Sequence, residues 1–206
     1  MTQPIGSGVD GLDSTKATSM VHKQIKLWEI ISTKVLLDND KLKVVEDQVK
    51  LPNGKITSYV KHAPTKVHAV IAVAVNEKNE ILIQREYSHP PQKIMWQLPG
   101  GSMQEGETPK DAALRELAEE SGYSAHSVTE LGSFFVHNRL SNKIQYAFLC
   151  TDIFEHKLAE DEDEFIENHW FSKDKVKKMI SDGEFDNINL LATLNLWLHN
   201  DVKELN

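Results

Sequence analysis

Cysteine is nearly absent from the sequence, with one residue, Cys150, among 206. A lone cysteine excludes a disulfide within the chain, and with it the small secreted domains that several disulfides stabilise. Cys150 ends the apolar run at residues 146–150, so we predict a buried and unreactive thiol in a strand. This cysteine usage fits a reducing compartment, and we predict a cytoplasmic location.

Long apolar runs are also lacking. No stretch approaches the roughly 18 uninterrupted apolar residues that a membrane-spanning helix needs. Residues 1–19 are polar and carry no apolar block of the kind found in signal peptides. We therefore predict that the chain has no membrane partner.

Basic charge is scarce: 23 Lys and Arg residues face 31 Asp and Glu residues, which gives a net charge of −8. A nucleic-acid-binding protein normally carries a basic patch or stripe, and none is visible, so we predict no nucleic-acid partner. Acidic charge also repels a small phosphate-bearing substrate. That repulsion is reversed where carboxylates hold divalent cations, because the metal inverts the local sign of the charge.

The chain divides into three predicted segments. Residues 1–22 are polar and rich in Gly, Ser and Thr, which is typical of a disordered arm. Strand-like segments and turn signals at residues 38–40 and 52–54 predict a small antiparallel sheet within residues 23–66. Residues 67–206 form the main predicted domain, and the hydrophobic content of 40% is enough for one sizeable core.

In the main domain the sequence pattern predicts strands in hairpins with single helices between them, which is typical of the α+β class. Residues 67–75 are nearly all Val, Ala and Ile, as in a strand buried on both faces. Pro90 and Pro91 predict a loop that ends at Trp96. Later segments predict strands at 128–136, 144–150 and 166–171 and helices at 173–181 and 190–199.

A further helix is predicted over residues 109–121. Thr108 is a typical N-cap, Pro109 suits the first helical position, and Gly122 provides a C-terminal stop. Within this helix, three carboxylates at i, i+3 and i+4 project from one face: Glu116, Glu119 and Glu120.

Most acidic clusters are solvated surface, and that is the alternative interpretation of this one. However, Glu116 and Glu120 form a like-charge i, i+4 pair that weakens a helix, and only Glu119 has a basic neighbour, Arg115, one turn away. An arrangement that opposes helix stability indicates a cation that neutralises it. Oxygen-only ligands suit Mg²⁺, with Mn²⁺ as the alternative.

The stretch at residues 101–123 resembles the Nudix box, G-x5-E-x7-R-E-U-x-E-E-x-G-U, where U is a bulky apolar residue. Leu117 fits the first U, whereas Tyr123 is aromatic where an aliphatic residue is usual. All seven fixed positions match: Gly101, Glu107, Arg115, Glu116, Glu119, Glu120 and Gly122. The resemblance implies a Nudix fold, a mixed sheet between helices in an α–β–α sandwich, here with a small N-terminal antiparallel sheet.

The resemblance also implies roles for the residues of the box. Glu116 and Glu120 would be the main metal carboxylates, with the Gly100 carbonyl as a further ligand. Glu119 would be a further ligand or lie just behind the ligands, and Arg115 would orient the glutamates. Glu107 would brace the loop or pair with Arg115.

An acidic loop after the box resembles the loop that supplies the base in the ADP-ribose and nucleotide-sugar pyrophosphatase branch. It reads Asp-Glu-Asp-Glu at residues 161–164. Glu162 is the candidate base and Glu164 the candidate extra ligand, with the two roles exchangeable. The alternative interpretation is a mobile, solvated acidic loop.

The same branch suggests substrate contacts at Trp28, Arg85 and Arg139. Trp28 is a candidate for stacking on a base, although packing against the sheet is the alternative. Arg85 and Arg139 are candidates for phosphate contact, and an exposed loop arginine is the alternative for Arg139. Two departures weaken an assignment to ADP-ribose: the proline that follows the box in that group is replaced by Arg139, and Gln-Tyr-Arg is replaced by Glu-Tyr-Ser at 86–88.

We therefore predict Mg²⁺-dependent hydrolysis of a diphosphate bond in a nucleoside diphosphate linked to another moiety, such as ADP-ribose or a nucleotide sugar. The products would be two monophosphates. The alternatives are a pyrophosphatase for modified nucleoside triphosphates and a Nudix module that senses a nucleotide without hydrolysis. The small N-terminal sheet builds a dimer in this branch, so a homodimer is expected.

Overall fold

The computed structural model describes residues 25–158 and 165–200. The predicted arm at 1–22 and the acidic loop residues 161–164 lie outside the described residues. The elements in chain order are β1 Glu29–Asp38, β2 Lys43–Lys50, β3 Ile56–His62, β4 Ala69–Ala74, β5 Glu80–Ser88, β6 Lys93–Gln97, α1 Pro109–Ser121, β7 Tyr123–Phe135, β8 Ile144–Glu155, β9 Ile166–Ser172, α2 Lys173–Ser181 and α3 Ile188–Leu198.

Strands β1, β2 and β3 form the small antiparallel sheet that the sequence predicts. Asn39 closes the first hairpin by accepting hydrogen bonds from the amides of Lys41 and Leu42, and Gly54 turns the second with a φ of +84°. The division of the chain between residues 66 and 67 stays a prediction.

The remaining strands form two sheets. Along β4 and β5, successive side chains point alternately to one helical layer and to the other. In one sheet β4 pairs parallel to β8, which pairs antiparallel to β7; in the other, β5 lies between β6 and β9. Every residue of β4 is buried, as the apolar run predicts. Val70, Ala72 and Leu82 face α1, whereas Ile71 and Ile83 face the other layer, which includes α2 and α3. The α+β class and the α–β–α sandwich are thus confirmed.

The structure corrects the predicted loop at residues 90–96. Residues Lys93–Gln97 form β6, which pairs antiparallel with β5. The prolines lie in the preceding turn, where Gln92 takes a φ of +52° and its amide donates to the His89 carbonyl. The strand depends on a partner that local turn signals do not reveal.

Helix α1 has the predicted bounds, and its ends form as predicted. The Thr108 side chain accepts a hydrogen bond from the Asp111 amide, and Gly122 closes the helix at a φ of +76°. Cys150 is buried, and burial raises the pKa of its thiol to about 12. Among the described residues, no helix is both long and apolar enough to cross a membrane.

Candidate active site

The segment at residues 99–103 runs along β4 and positions the first part of the site. The Ala72 amide donates to the Pro99 carbonyl at 2.8 Å, and the Val70 amide donates to the Gly101 carbonyl at 2.9 Å. These bonds give β4 a neighbour on its second edge, opposite β8. The box therefore begins on a backbone fixed by the central sheet.

Two glycines in this segment allow close approaches that a side chain would prevent. A Cβ atom on Gly100 would lie 2.3 Å from the Val70 carbonyl oxygen. A Cβ atom on Gly101 would lie 2.5 Å from Oε1 of Glu116. The absent side chain at Gly101 therefore makes the space that the Glu116 carboxylate occupies.

Helix α1 packs on the central sheet with one face and presents its glutamates on another. Its buried residues are Ala112, Ala113, Leu117 and Ala118. Glu116, Glu119 and Glu120 are partly buried rather than on a fully solvated face, and Glu116 and Glu120 lie beside the Gly100–Gly101 backbone. The structure thus brings the predicted carboxylates together with the glycine loop.

Arg115 connects these groups through its guanidinium. Its Nε and Nη2 donate to the two carboxylate oxygens of Glu107 at 2.8 and 3.0 Å. Its Nη1 donates to Glu116 at 3.0 Å and to Glu119 at 2.8 Å, and Nη2 also reaches the Ser102 carbonyl at 3.2 Å. One side chain therefore fixes the positions of three carboxylates and of the loop.

This network shifts the pKa values of its members in opposite directions. The hydrogen bonds from Arg115 hold the pKa of Glu107 below its usual value, and the Gln104 amide contributes to the same effect. The hydrogen bonds to Glu107, with the charge of Glu116 and the hydrogen bond to Glu119, hold the pKa of Arg115 above its usual range. The Arg115–Glu107 pair is therefore charged at neutral pH.

Glu120 is held at the carboxyl end of the helix from two sides. Its Oε2 accepts a hydrogen bond from the Gly100 amide at 3.1 Å. Its backbone carbonyl accepts one from Nδ2 of Asn168 at 3.0 Å, and Gln84 lies at 3.5 Å from the same oxygen. The side chains of Gln84 and Asn168 satisfy a helix-end carbonyl that would otherwise lack a partner.

Sequence reasoning missed Gln84 and Asn168. They are cross-strand neighbours on β5 and β9, and Gln84 is fully buried. The one available signal was a glutamine within the apolar run of β5, because a buried polar residue needs a partner. Nothing in the sequence indicates that the partner is α1.

A cleft of about 260 Å³ borders the glycine loop, and its lining includes Gly100, Gly101 and Ser102 from the loop. Polar side chains from later elements complete it, among them Lys143, Gln145, Asn187 and Asn189. The Lys143 ammonium donates to the Ser102 hydroxyl at 2.8 Å. Lys143 was not a sequence candidate, because no motif or spacing distinguishes it from other lysines.

Among the described residues, no hydrogen bond, ion pair or ring contact joins the three predicted substrate residues to the glutamate cluster. Trp28 is half-exposed, precedes β1, and meets Tyr59 edge-on with ring centroids 6.1 Å apart. The Tyr59 hydroxyl donates to the Arg139 carbonyl at 2.7 Å, so Trp28 and Arg139 flank the same tyrosine. The Arg85 guanidinium lies 5.2 Å from the centre of the Trp96 ring.

The position of Arg85 follows from strand alternation. Successive side chains of a strand point to opposite faces, so Arg85 points away from the face on which Gln84 contacts α1. In the described part of the chain, no hydrogen bond, ion pair or ring contact joins the Arg85 side chain to the box. The predicted base Glu162 and the predicted ligand Glu164 lie outside the described residues.

The described side chains do not by themselves form a complete metal site. Within 25–158 and 165–200, no three Asp, Glu, His or Cys side chains converge as a metal site. The donor chemistry nevertheless fits a hard divalent cation, since the groups beside the Gly101 space are carboxylate and carbonyl oxygens. Three carboxylates share the guanidinium of Arg115 among the described ion pairs, so a cation would offset the remaining negative charge.

Comparisons with known proteins agree with this fold. The model of the NUDIX domain family matches residues 65–194. The ADP-ribose pyrophosphatase of Bacillus subtilis (strain 168) is 31% identical over 170 residues, which are 81% of this chain and 86% of that protein. The methanol dehydrogenase activator of Bacillus methanolicus is 30% identical over 187 residues, which are 88% of this chain and 96% of that protein.

A solved structure shows the same fold. It is described as an ADP compounds hydrolase and superposes with a TM-score of 0.80 at 21% identity, covering 87% of this chain and 98% of that one. At this identity the likeness shows the fold alone. The mixed sheet between two helical layers, with the glutamate-rich helix α1 packed on one of its faces, is the Nudix fold. The chain belongs to the Nudix family and is a Nudix hydrolase.

Proposed function

We propose that this Nudix hydrolase cleaves a diphosphate bond in a nucleoside diphosphate linked to another moiety, with ADP-ribose as the first expected substrate, and releases two monophosphates. The observation that carries the proposal is the Arg115 network, which gathers Glu107, Glu116 and Glu119 against the glycine loop. The similarity to the Bacillus subtilis ADP-ribose pyrophosphatase, over most of both chains, supports the substrate class.

The proposed cofactor is Mg²⁺, with Mn²⁺ as the alternative. Glu116, Glu120 and the Gly100 carbonyl would hold it, and Glu164 would complete the set. When bound, the cation supplies charge that polarises the diphosphate and makes the attacking water more acidic. The Gly101 space supports this role, because a side chain there would displace the Glu116 carboxylate.

The protein residues have distinct proposed tasks. Arg115 holds the carboxylates of Glu116 and Glu119 in place, and Glu107 fixes Arg115 by accepting two of its hydrogen bonds. Glu119 is a further ligand or supports the ligands. Glu162 takes the proton from the attacking water, unless Glu164 does so.

Three further parts of the proposal concern substrate contacts, assembly and location. Trp28 stacks on the base, and Arg85 and Arg139 contact phosphate. The chain forms a homodimer through the N-terminal sheet, since β1 exposes Ile30, Ile31 and other apolar side chains. It acts in the cytoplasm, where its single thiol stays reduced.

The test is product analysis with a matched pair of variants. The purified chain is incubated with Mg²⁺ and, separately, ADP-ribose, a nucleotide sugar, a dinucleoside polyphosphate and nucleoside triphosphates. We expect AMP and ribose 5-phosphate from ADP-ribose, and no reaction with excess chelator. Glu120→Gln should reduce kcat by roughly 10²–10³-fold, because a metal carboxylate is lost. Glu130→Gln, exposed on β7, should leave kcat unchanged.

Other outcomes contradict the proposal in identifiable ways. Hydrolysis of nucleoside triphosphates alone would favour the alternative activity on modified triphosphates. No turnover with either Mg²⁺ or Mn²⁺, together with tight binding of a nucleotide, would favour the sensing module.

A further inference from the structure

Lys143 lies on the opposite side of Ser102 from the glutamate network. The Ser102 carbonyl accepts a hydrogen bond from Arg115 at 3.2 Å, and the Ser102 hydroxyl accepts one from Lys143 at 2.8 Å. Two cations therefore contact the same loop residue. Arg115 is engaged by three carboxylates, whereas the one described hydrogen-bond partner of the Lys143 ammonium is a neutral hydroxyl.

Among the described residues, no acidic side chain neutralises the charge of Lys143. No described carboxylate lies within ion-pair distance of its ammonium, and the residue is partly buried just before β8. Burial lowers the pKa of Lys143, because the charged form loses solvent. An ammonium group has three donors, so two remain after the bond to Ser102. An anionic ligand would neutralise this partly desolvated ammonium and accept hydrogen bonds from its two remaining donors.

Lys143 also lies where two clefts meet. It lines the cleft of about 260 Å³ beside the glycine loop, together with Ser102. The same two residues line a second cleft, of about 600 Å³, between the N-terminal sheet and the main domain. A ligand that extends from one cleft into the other passes the Lys143 ammonium and the edge of the glycine loop.

The first cleft contains a further group without a partner. Oδ1 of Asn189 is buried, and no described group donates a hydrogen bond to it. Within the described part of the chain, an acceptor without a donor and a cation without an anionic partner therefore border one cleft. A phosphate that carries a hydroxyl-bearing sugar offers both complementary groups.

We propose that Lys143 binds a phosphate oxygen of the substrate on the cleft side of Ser102, and so positions the diphosphate against the glutamate cluster. This inference rests on the proposed function. Lys143 is a binding residue and takes no proton in the reaction. Its removal is expected to weaken substrate binding rather than the chemical step.

The test compares Lys143→Met, Lys143→Arg and the control Lys78→Met, with ADP-ribose and Mg²⁺ at two salt concentrations. Lys78 is exposed in the turn before β5. Lys143→Met should raise KM about 10–100-fold with kcat changed far less, because a charge-assisted hydrogen bond is lost. Lys143→Arg should recover most of the loss. Added salt should raise KM of the unmodified chain more steeply than KM of Lys143→Met.

The outcomes separate this inference from the function on which it rests. Turnover by the unmodified chain with the same KM in Lys143→Met overturns the inference and leaves the function standing. So does a loss that Lys143→Arg fails to recover and that accompanies a lower Tm, since that pattern indicates a structural role. No turnover of ADP-ribose or the other diphosphates by the unmodified chain overturns the function, and the inference with it.

Discussion

At the scale of single residues, the site depends on charges that hold one another in place. Arg115 bonds both oxygens of Glu107, and the Gln104 amide donates to the same carboxylate at 2.9 Å. Hydrogen bonds to charged groups contribute more to stability than neutral ones. Glu107 touches the loop and the helix, so it connects the two halves of the box.

We expect Glu107→Gln to loosen this connection. The amide replaces one acceptor of Arg115 with a donor, so the free energy of unfolding should fall by about 1.5–3 kcal/mol. The free energy is measured by urea denaturation. Glu105→Gln is the control, because Glu105 is exposed in the same loop. Equal stability of the two variants would show that the Arg115 network does not support the fold.

At the scale of elements, the N-terminal sheet contains a buried charge. Asp47 on β2 is 3% exposed, accepts a hydrogen bond from the Thr33 hydroxyl at 2.6 Å, and pairs with Lys61 on β3 at 2.6 Å. The hydrogen bond from Lys61, and to a smaller extent the one from Thr33, holds the pKa of Asp47 below its usual value. The ion pair thus joins β2 to β3, and the hydrogen bond from Thr33 connects β1 to the same carboxylate.

This lowered pKa has a defined consequence for acid stability. A carboxylate with a lowered pKa in the folded state stabilises the fold above its unfolded pKa of about 4 and loses that effect as pH falls through the folded value. Lys61→Met should reduce the free energy of unfolding at pH 7 by about 1–3 kcal/mol. The difference from the unmodified chain should shrink as the pH falls below about 4.

The measurement is urea denaturation at several pH values from neutral to acid. Lys50→Met is the control, because Lys50 is exposed at the end of β2 and has no described ion pair. A Lys61→Met effect that stays constant down to the acid range would contradict the role of Asp47.

At the scale of the whole molecule, β1 is incompletely covered. It is an edge strand that pairs with β2, and all ten of its residues are exposed, including Ile30, Ile31, Val35, Leu36 and Leu37. Exposed apolar edge strands tend to pair with another chain or to aggregate. A second copy of the chain would cover this surface.

We expect a dimer in solution at micromolar concentration, and Ile31→Glu should shift it toward monomer, because a charge is placed on the covered surface. Sedimentation velocity measures the masses of both forms. Ile94→Glu, an equally exposed position on β6, should remain dimeric. A monomeric unmodified chain, or dissociation by both variants, would contradict the assignment of the interface to β1.

The sequence alone determined the features that depend on local spacing. The bounds and caps of α1 follow from Thr108, Pro109 and Gly122, and a helix with glutamates at i, i+3 and i+4 must present them on one face. The apolar run of β4 and the order of hairpins and helices likewise determined a buried central strand and the α+β class.

Only the tertiary structure decided which distant residues meet. Strand β6 exists because β5 pairs with it, and Arg85 turns toward Trp96 because its position on β5 points away from α1. Lys143 meets Ser102 because parallel pairing brings β8 beside β4, with the glycine loop on the other edge of β4. These contacts join residues that are far apart in the sequence. The local periodicity of apolar residues does not indicate which strand or which charged group will be the partner.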